Sequence, residues 1–172
     1  MPVLATPTKK ALSAPRSHRS GGRSGIKPPI LPPGTGFAHT RGMGSQGADA
    51  FTVMIVDDVH DIRDLYERFF EMHGARVITA ADGIAALEVV LFHRPDVIIL
   101  DVAMPQITGV DVIRSLKGDR RTREIPIVAV SGQYDVETPV MEAGADAFVQ
   151  KPVLPDKLWT QVKRTLTAAR HH

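Results

Sequence analysis

From residue 51 onward the chain carries five short apolar runs: Phe51 to Val56, Ala75 to Ala80, Val97 to Leu100, Ile125 to Val130 and Ala147 to Val149. The runs are continuous, as expected of strands buried on both faces, and the stretches between them are long enough for crossover helices. Between the runs, Ile62, Leu65, Phe69 and Met72 recur at helical spacing, as do Leu87, Val90 and Leu91, then Val110, Ile113 and Leu116. In the last stretch Leu154, Leu158, Val162 and Leu166 repeat every four residues, and Trp159 widens the stripe. Each stripe is the core-facing side of an amphipathic helix, and packing accounts for it without a cofactor. Five strands joined by right-handed helical crossovers make an α/β fold, a doubly wound parallel sheet that binds ligands beyond the carboxyl ends of its strands.

The residues before this pattern are of another kind. Residues 1 to 50 hold 8 of the 14 glycines, 7 of the 13 prolines and 7 Lys/Arg against one acid, Asp49. The stretch Lys27-Pro28-Pro29-Ile30-Leu31-Pro32-Pro33 favours extended polyproline conformation, and its neighbours bury too little apolar area to offset ordering entropy. The reading is a disordered basic tail, 1–50, followed by one folded domain, 51–172. The basic pI of 9.1 comes from that tail, because 51–172 carry 14 Lys/Arg against 18 Asp/Glu. With Phe37 as its one aromatic, the tail has almost nothing to stack on bases, so nucleic acid is not an expected partner. The chain has no cysteine, which excludes disulfides, thiolate zinc sites and cysteine nucleophiles and fits a cytoplasmic protein. No apolar run approaches the length needed to span a bilayer, so no membrane role is expected.

The strand-end rule fixes where chemistry should lie. Asp57-Asp58 follow the first strand, Asp101 the third, Ser131-Gly132 the fourth and Lys151-Pro152 the fifth. Taken alone, Asp57-Asp58 read most simply as the start of a helix near Val59. Taken together, the four pieces fall on one rim. Three carboxylates there repel by on the order of 4 kcal/mol per pair at about 4 Å and an effective dielectric near 20. One lysine does not neutralise them. A hard divalent cation does, and Mg²⁺, held by one or two carboxylates and a phosphate, fits oxygen ligands better than zinc does. Asp101, last on the central strand, is the candidate nucleophile toward phosphorus, with Lys151 and Ser131 placed to stabilise the equatorial oxygens. The histidines His60, His73 and His93 are scattered along helices and form no ligand pattern.

Asp57-Asp58, Asp101-Val102-Ala103-Met104-Pro105 with Gly109, Val130-Ser131-Gly132 and Lys151-Pro152 resemble the receiver domain of two-component response regulators over residues 51 to about 170. That resemblance implies a flavodoxin-like five-stranded sheet of order 2-1-3-4-5 with five helices. It implies that Asp101 accepts a phosphoryl group from a histidine kinase or histidine phosphotransfer protein. Asp58 would ligate Mg²⁺ directly, Asp57 largely through water, and the backbone carbonyl of Ala103 would be a further ligand. By the same resemblance Ser131 moves toward the phosphoryl oxygens, Lys151 pairs with one of them, the Lys151-Pro152 peptide is cis, and Phe148 is the aromatic switch. Phe148 lacks a hydroxyl, so it reports only buried against exposed. Ala103 and Gln133 stand where the family tunes hydrolysis of the phosphoryl group, and alanine cannot orient a water, so a long-lived phospho-form is expected.

Residues Tyr134 to Gly144 are short for the family's fourth helix and contain Pro139. A helix starting at Pro139 with Thr138 as its cap is the expectation. The leading functional reading is a single-domain receiver that signals to a downstream protein target by contact, since the chain ends just after the fifth helix. The alternative is a receiver-fold docking module that never takes phosphate. An aspartyl phosphatase would need a second acid where Ala103 stands, and a flavin site would need a hydroxyl and glycine-rich loop where Asp57 and Asp58 stand.

Overall fold

The computed structural model describes residues 50–171, so the reading of 1–50 as a tail lies outside the described residues but for Ala50. Five strands, β1 (Thr52–Val56), β2 (Arg76–Ala80), β3 (Val97–Asp101), β4 (Ile127–Ser131) and β5 (Ala147–Gln150), alternate with α1 (His60–Met72), α2 (Gly83–His93), α3 (Gly109–Gly118), α4 (Glu137–Glu142) and α5 (Pro155–Ala169). The strands form one parallel sheet in the order β2-β1-β3-β4-β5, with β1 pairing β2 at Val53↔Val77 and β3 at Val53↔Val97. The doubly wound α/β expectation holds, strand order included.

Continuous apolar runs suit this sheet because successive side chains point to opposite faces and both faces are covered. On one face Met54, Val56, Ile98, Leu100, Ile127 and Ala129 pack under α2, α3 and α4. On the other, Val53, Ile55, Val97, Ile99, Val128 and Val130 pack under α1 and α5. Each fully buried aliphatic side chain contributes roughly 1.5–3 kcal/mol of transfer free energy. Among the described residues, no helix is long and apolar enough to cross a membrane.

Three details of the helices differ from the sequence reading. In α1, Leu65 is 50% and Met72 84% exposed, while Tyr66 and Phe70 are buried at 4% and 0%. Two apolar stripes overlap on this helix, and the one holding Tyr66 and Phe70, about a fifth of a turn away, is the one buried. Aromatic rings bury the most area per residue, and these have partners: Phe70 meets Trp159 edge-on at 5.2 Å, and Trp159 in turn meets Phe51 at 5.4 Å. Leu154 is the N-cap residue of α5, 62% exposed, and stands outside the stripe that Leu158, Val162 and Leu166 form.

The fourth helix begins two residues before Pro139, without Thr138 as its cap. Pro139 is its third residue, where a backbone N–H would have no intrahelical acceptor, so the missing donor costs nothing. The helix closes at Gly144, whose φ of +107° is a left-handed conformation that favours glycine. His93 closes α2 as its last residue, next to the negative end of the helix dipole.

Candidate functional site

The site forms at the carboxyl end of the sheet, where β1 and β3 lie side by side and their connections leave to opposite faces. Asp57 follows β1 directly and is 3% exposed; Asp101 is the last residue of β3 and 5% exposed. Asp58, one residue on, is exposed. One carboxylate oxygen from each of Asp57, Asp58 and Asp101 falls within 4.8 Å of the other two, the trio that the strand-end rule expects. Three hard oxygen donors, two of them nearly sealed from water, suit Mg²⁺ and offer nothing to a soft metal.

Lys151 ties two of these acids together. Its ammonium donates to Asp101 Oδ2 at 2.7 Å and to Asp57 Oδ2 at 2.9 Å. Burial works against its charge, but the hydrogen bonds and charges of Asp101 and Asp57 outweigh this and hold the ammonium above the ordinary lysine range. The remaining oxygens are also engaged. Asp101 Oδ1 accepts the Ala103 N–H at 2.9 Å, and Asp57 Oδ1 accepts the Val59 N–H at 2.9 Å. Asp57 therefore serves the start of α1 and the acidic cluster at once, with one oxygen for each. The Lys151–Pro152 peptide is cis.

Ser131 closes β4 and is fully buried. Its hydroxyl oxygen accepts the Gln133 N–H at 3.1 Å and makes no hydrogen bond to the acids. Phe148, half-buried on β5, lines a separate cleft of about 200 Å³ with Gln133, Tyr134, Glu137, Thr138 and Gln150. The structure thus joins Asp57, Asp58, Asp101 and Lys151, and leaves Ser131 and Phe148 outside their hydrogen bonds.

Two residues at the site escaped the sequence reading. The Arg63 guanidinium donates to the Asp57 carbonyl at 2.6 Å, and the Tyr66 hydroxyl donates to the Val153 carbonyl at 3.2 Å. Burial pushes the Tyr66 phenol up from its usual value; Lys151 pulls it down, and Asp57 and Asp101 add to the rise. The signal available was the position of Tyr66 one turn beyond Ile62, on the face that turned out to be buried. Gly109 holds α3 against the site, because a Cβ there would lie 2.5 Å from Val102 Cα and 2.8 Å from the Asp101 carbonyl oxygen.

A doubly wound sheet whose crevice holds three acids, two of them bridged by the lysine that follows the last strand, is the arrangement of one class of α/β domains with their site at the carboxyl rim of the sheet. The chain belongs to the response regulator receiver domain family, whose model matches residues 53–163. It is 35% identical over 122 residues to the transcriptional regulatory protein PrrA of Mycobacterium tuberculosis, covering 70% of this chain and 52% of that protein. It is 31% identical over 117 residues to the polar-differentiation response regulator DivK of Brucella anthropi, covering 67% of this chain and 95% of that one. PrrA is typical of several curated relatives in that the chain spans about half of its length. Among solved structures, the chemotaxis response regulator CheY4 of Vibrio cholerae is similar with a TM-score of 0.64 at 29% identity, covering 68% of this chain and 99% of that one.

Proposed function

We propose that this protein is a phosphorylation-controlled binding switch, in which Asp101 takes a phosphoryl group from a histidine kinase or histidine phosphotransfer protein and the modified form engages a downstream protein. The observation that carries this reading is the double hydrogen bond of Lys151 to Asp101 and Asp57 beside the exposed Asp58. A carboxylate fixed at both oxygens at the mouth of a crevice is held for attack, which is the positioning that phosphoryl transfer requires. A carboxylate oxygen of Asp101 bonds to phosphorus as the bond from phosphorus to the donor imidazole breaks, giving an acyl phosphate and free imidazole. Lys151 then exchanges a carboxylate oxygen for a phosphoryl oxygen. The Ser131 hydroxyl, whose oxygen accepts a backbone N–H, keeps its own proton to donate to a second one.

Asp57, Asp58, Asp101 and the carbonyl of Ala103 would hold Mg²⁺, which supplies the charge cancellation that lets an anionic phosphoryl group approach three acids. Beside the site, Ile62, Leu65, Tyr66, Pro152 and Val153 line a groove of about 370 Å³ that Lys151 also borders. An apolar groove bordered by the charged groups of the site is the surface a phosphohistidine-bearing protein would seat on. Phe148, at the edge of its cleft, would report the change by moving between half-buried and buried. The chain's own role is that of a phosphoacceptor, with no turnover of other substrates, in the cytoplasm.

Incubation with acetyl phosphate and Mg²⁺, read by intact mass, tests this. One phosphate on the wild type and none on Asp101→Ala is the expected result. A wild type that stays unmodified with this donor and with kinases would turn the reading into the docking module, and steady hydrolysis of many phosphoesters would turn it into a phosphatase.

A further inference from the structure

The outward face of α2 exposes large apolar side chains, and nothing in the proposed phosphoacceptor site uses it. Between the capping Asp82 and His93 the helix carries one charged residue, Glu88. Ala86 and Val90 turn inward and are fully buried. The opposite side carries Ile84, Leu87, Leu91 and Phe92 at i, i+3, i+7 and i+8, a second apolar stripe with Glu88 at its i+4 position. Ile84 is 50% and Phe92 85% exposed, while Leu87 and Leu91 pack only partly against the core. A helix apolar on all sides belongs in an interior, and an exposed contiguous stripe marks an interaction surface. Next to α2 lies β2, the edge strand of the sheet, so among the described residues nothing of the chain stands beyond this face.

We infer that a second copy of this chain covers it, with the two α2 helices packed antiparallel about a two-fold axis. Charge placement selects this occupant. Glu88 sits near the middle of the stripe, and His93 and Arg94 sit at its carboxyl-terminal end, all three exposed. In an antiparallel pair whose two-fold axis passes beside Leu91, midway between Glu88 and Arg94, each Glu88 lies beside Arg94 of the partner subunit, so a single surface supplies both halves of two ion pairs. This self-complementarity is what a two-fold interface requires. A parallel pair would set Glu88 against Glu88. The contact centres on the half of α2 away from the carboxyl ends of the strands, so the site around Asp101 stays open in the dimer.

Sedimentation of the full chain tests the pairing, and dimer formation in the micromolar range is expected. Phe92→Glu, at a position too exposed to disturb the fold, should leave monomer at concentrations where the wild type is paired. Glu88→Arg should weaken the dimer by tenfold or more, and the double variant Glu88→Arg, Arg94→Glu should restore it. Because the chain has no cysteine, Phe92→Cys reports directly: a short bis-maleimide should link two copies, while Arg68→Cys on α1 should not be linked. A wild type that remains monomeric up to about 1 mM, a dimer indifferent to Phe92→Glu, or a double variant no tighter than Glu88→Arg overturns the inference.

Discussion

Lys151 is where single-residue physics decides the behaviour of the site. Its ammonium has a folded-state pKa above the ordinary 10.5, because two carboxylates stabilise its charge more than burial penalises it. A raised pKa on a cation contributes stability that is complete below the unfolded value and is lost as pH rises through the folded one. Wild type should therefore exceed Lys151→Met in urea midpoint by a constant margin through neutral pH, with the gap closing only above about 10.5. A margin that closes near neutrality would mean that the pairing with Asp57 and Asp101 does not set it. The loss at neutral pH should be on the order of 1–3 kcal/mol, since two buried oxygens lose their charged donor. The lysine, the three acids and the serine were all legible as residues that end apolar runs. Arg63 and Tyr66 were not, because their roles arise from helical phase rather than from a strand end.

At the scale of elements, the close approach of α3 to β3 is the contact on which the site geometry depends. The Gly109 N–H donates to the Val102 carbonyl at 3.1 Å, and the Val102 N–H donates to Val130 at 2.9 Å, so the helix start, β3 and β4 are stitched together one residue beyond Asp101. A methyl group at Gly109 meets backbone atoms at 2.5 and 2.8 Å, and backbone cannot swing aside as a flexible side chain can. Gly109→Ala should cost about 1–3 kcal/mol by overpacking and slow phosphorylation of Asp101, as read by thermal melting and by the rate of acetyl phosphate labelling. Unchanged stability and rate would place the slack elsewhere. The five strands were legible to within two residues at every boundary because burial on both faces leaves an unbroken apolar signature. The buried face of α1 was not, since two stripes of similar apolar content share that helix, and only the position of Trp159 and Phe51 across the interface chooses between them. The early start of α4 was hidden because proline, though favoured at the first helical position, is tolerated throughout the first turn, where backbone N–H groups have no intrahelical acceptor.

For the molecule as a whole, metal binding at the acid trio, as proposed, would make folding and binding one equilibrium. Three carboxylates with oxygens within 4.8 Å repel in the folded chain and separate in the unfolded one, so the proposed Mg²⁺ would bind the folded state preferentially and stabilise it by mass action. Millimolar Mg²⁺ should raise the melting temperature by a few degrees, about 1 kcal/mol shifting a domain of this size by roughly 4–8 °C. The increment should vanish in Asp58→Ala; an equal rise in that variant would assign the effect to general ionic strength. The amino-acid sequence by itself determined the alternation of elements, the parallel sheet and the set of groups on its carboxyl rim, because the helical repeat is local and leaves a period in the sequence, while burial on both faces leaves each strand an unbroken apolar run. Tertiary structure alone decided which face of α1 is buried, that one lysine bridges two acids from different strands, and that α2 presents a second apolar stripe to solvent. Each of these depends on which surfaces meet across distant parts of the chain, and a one-dimensional period carries no record of the partner.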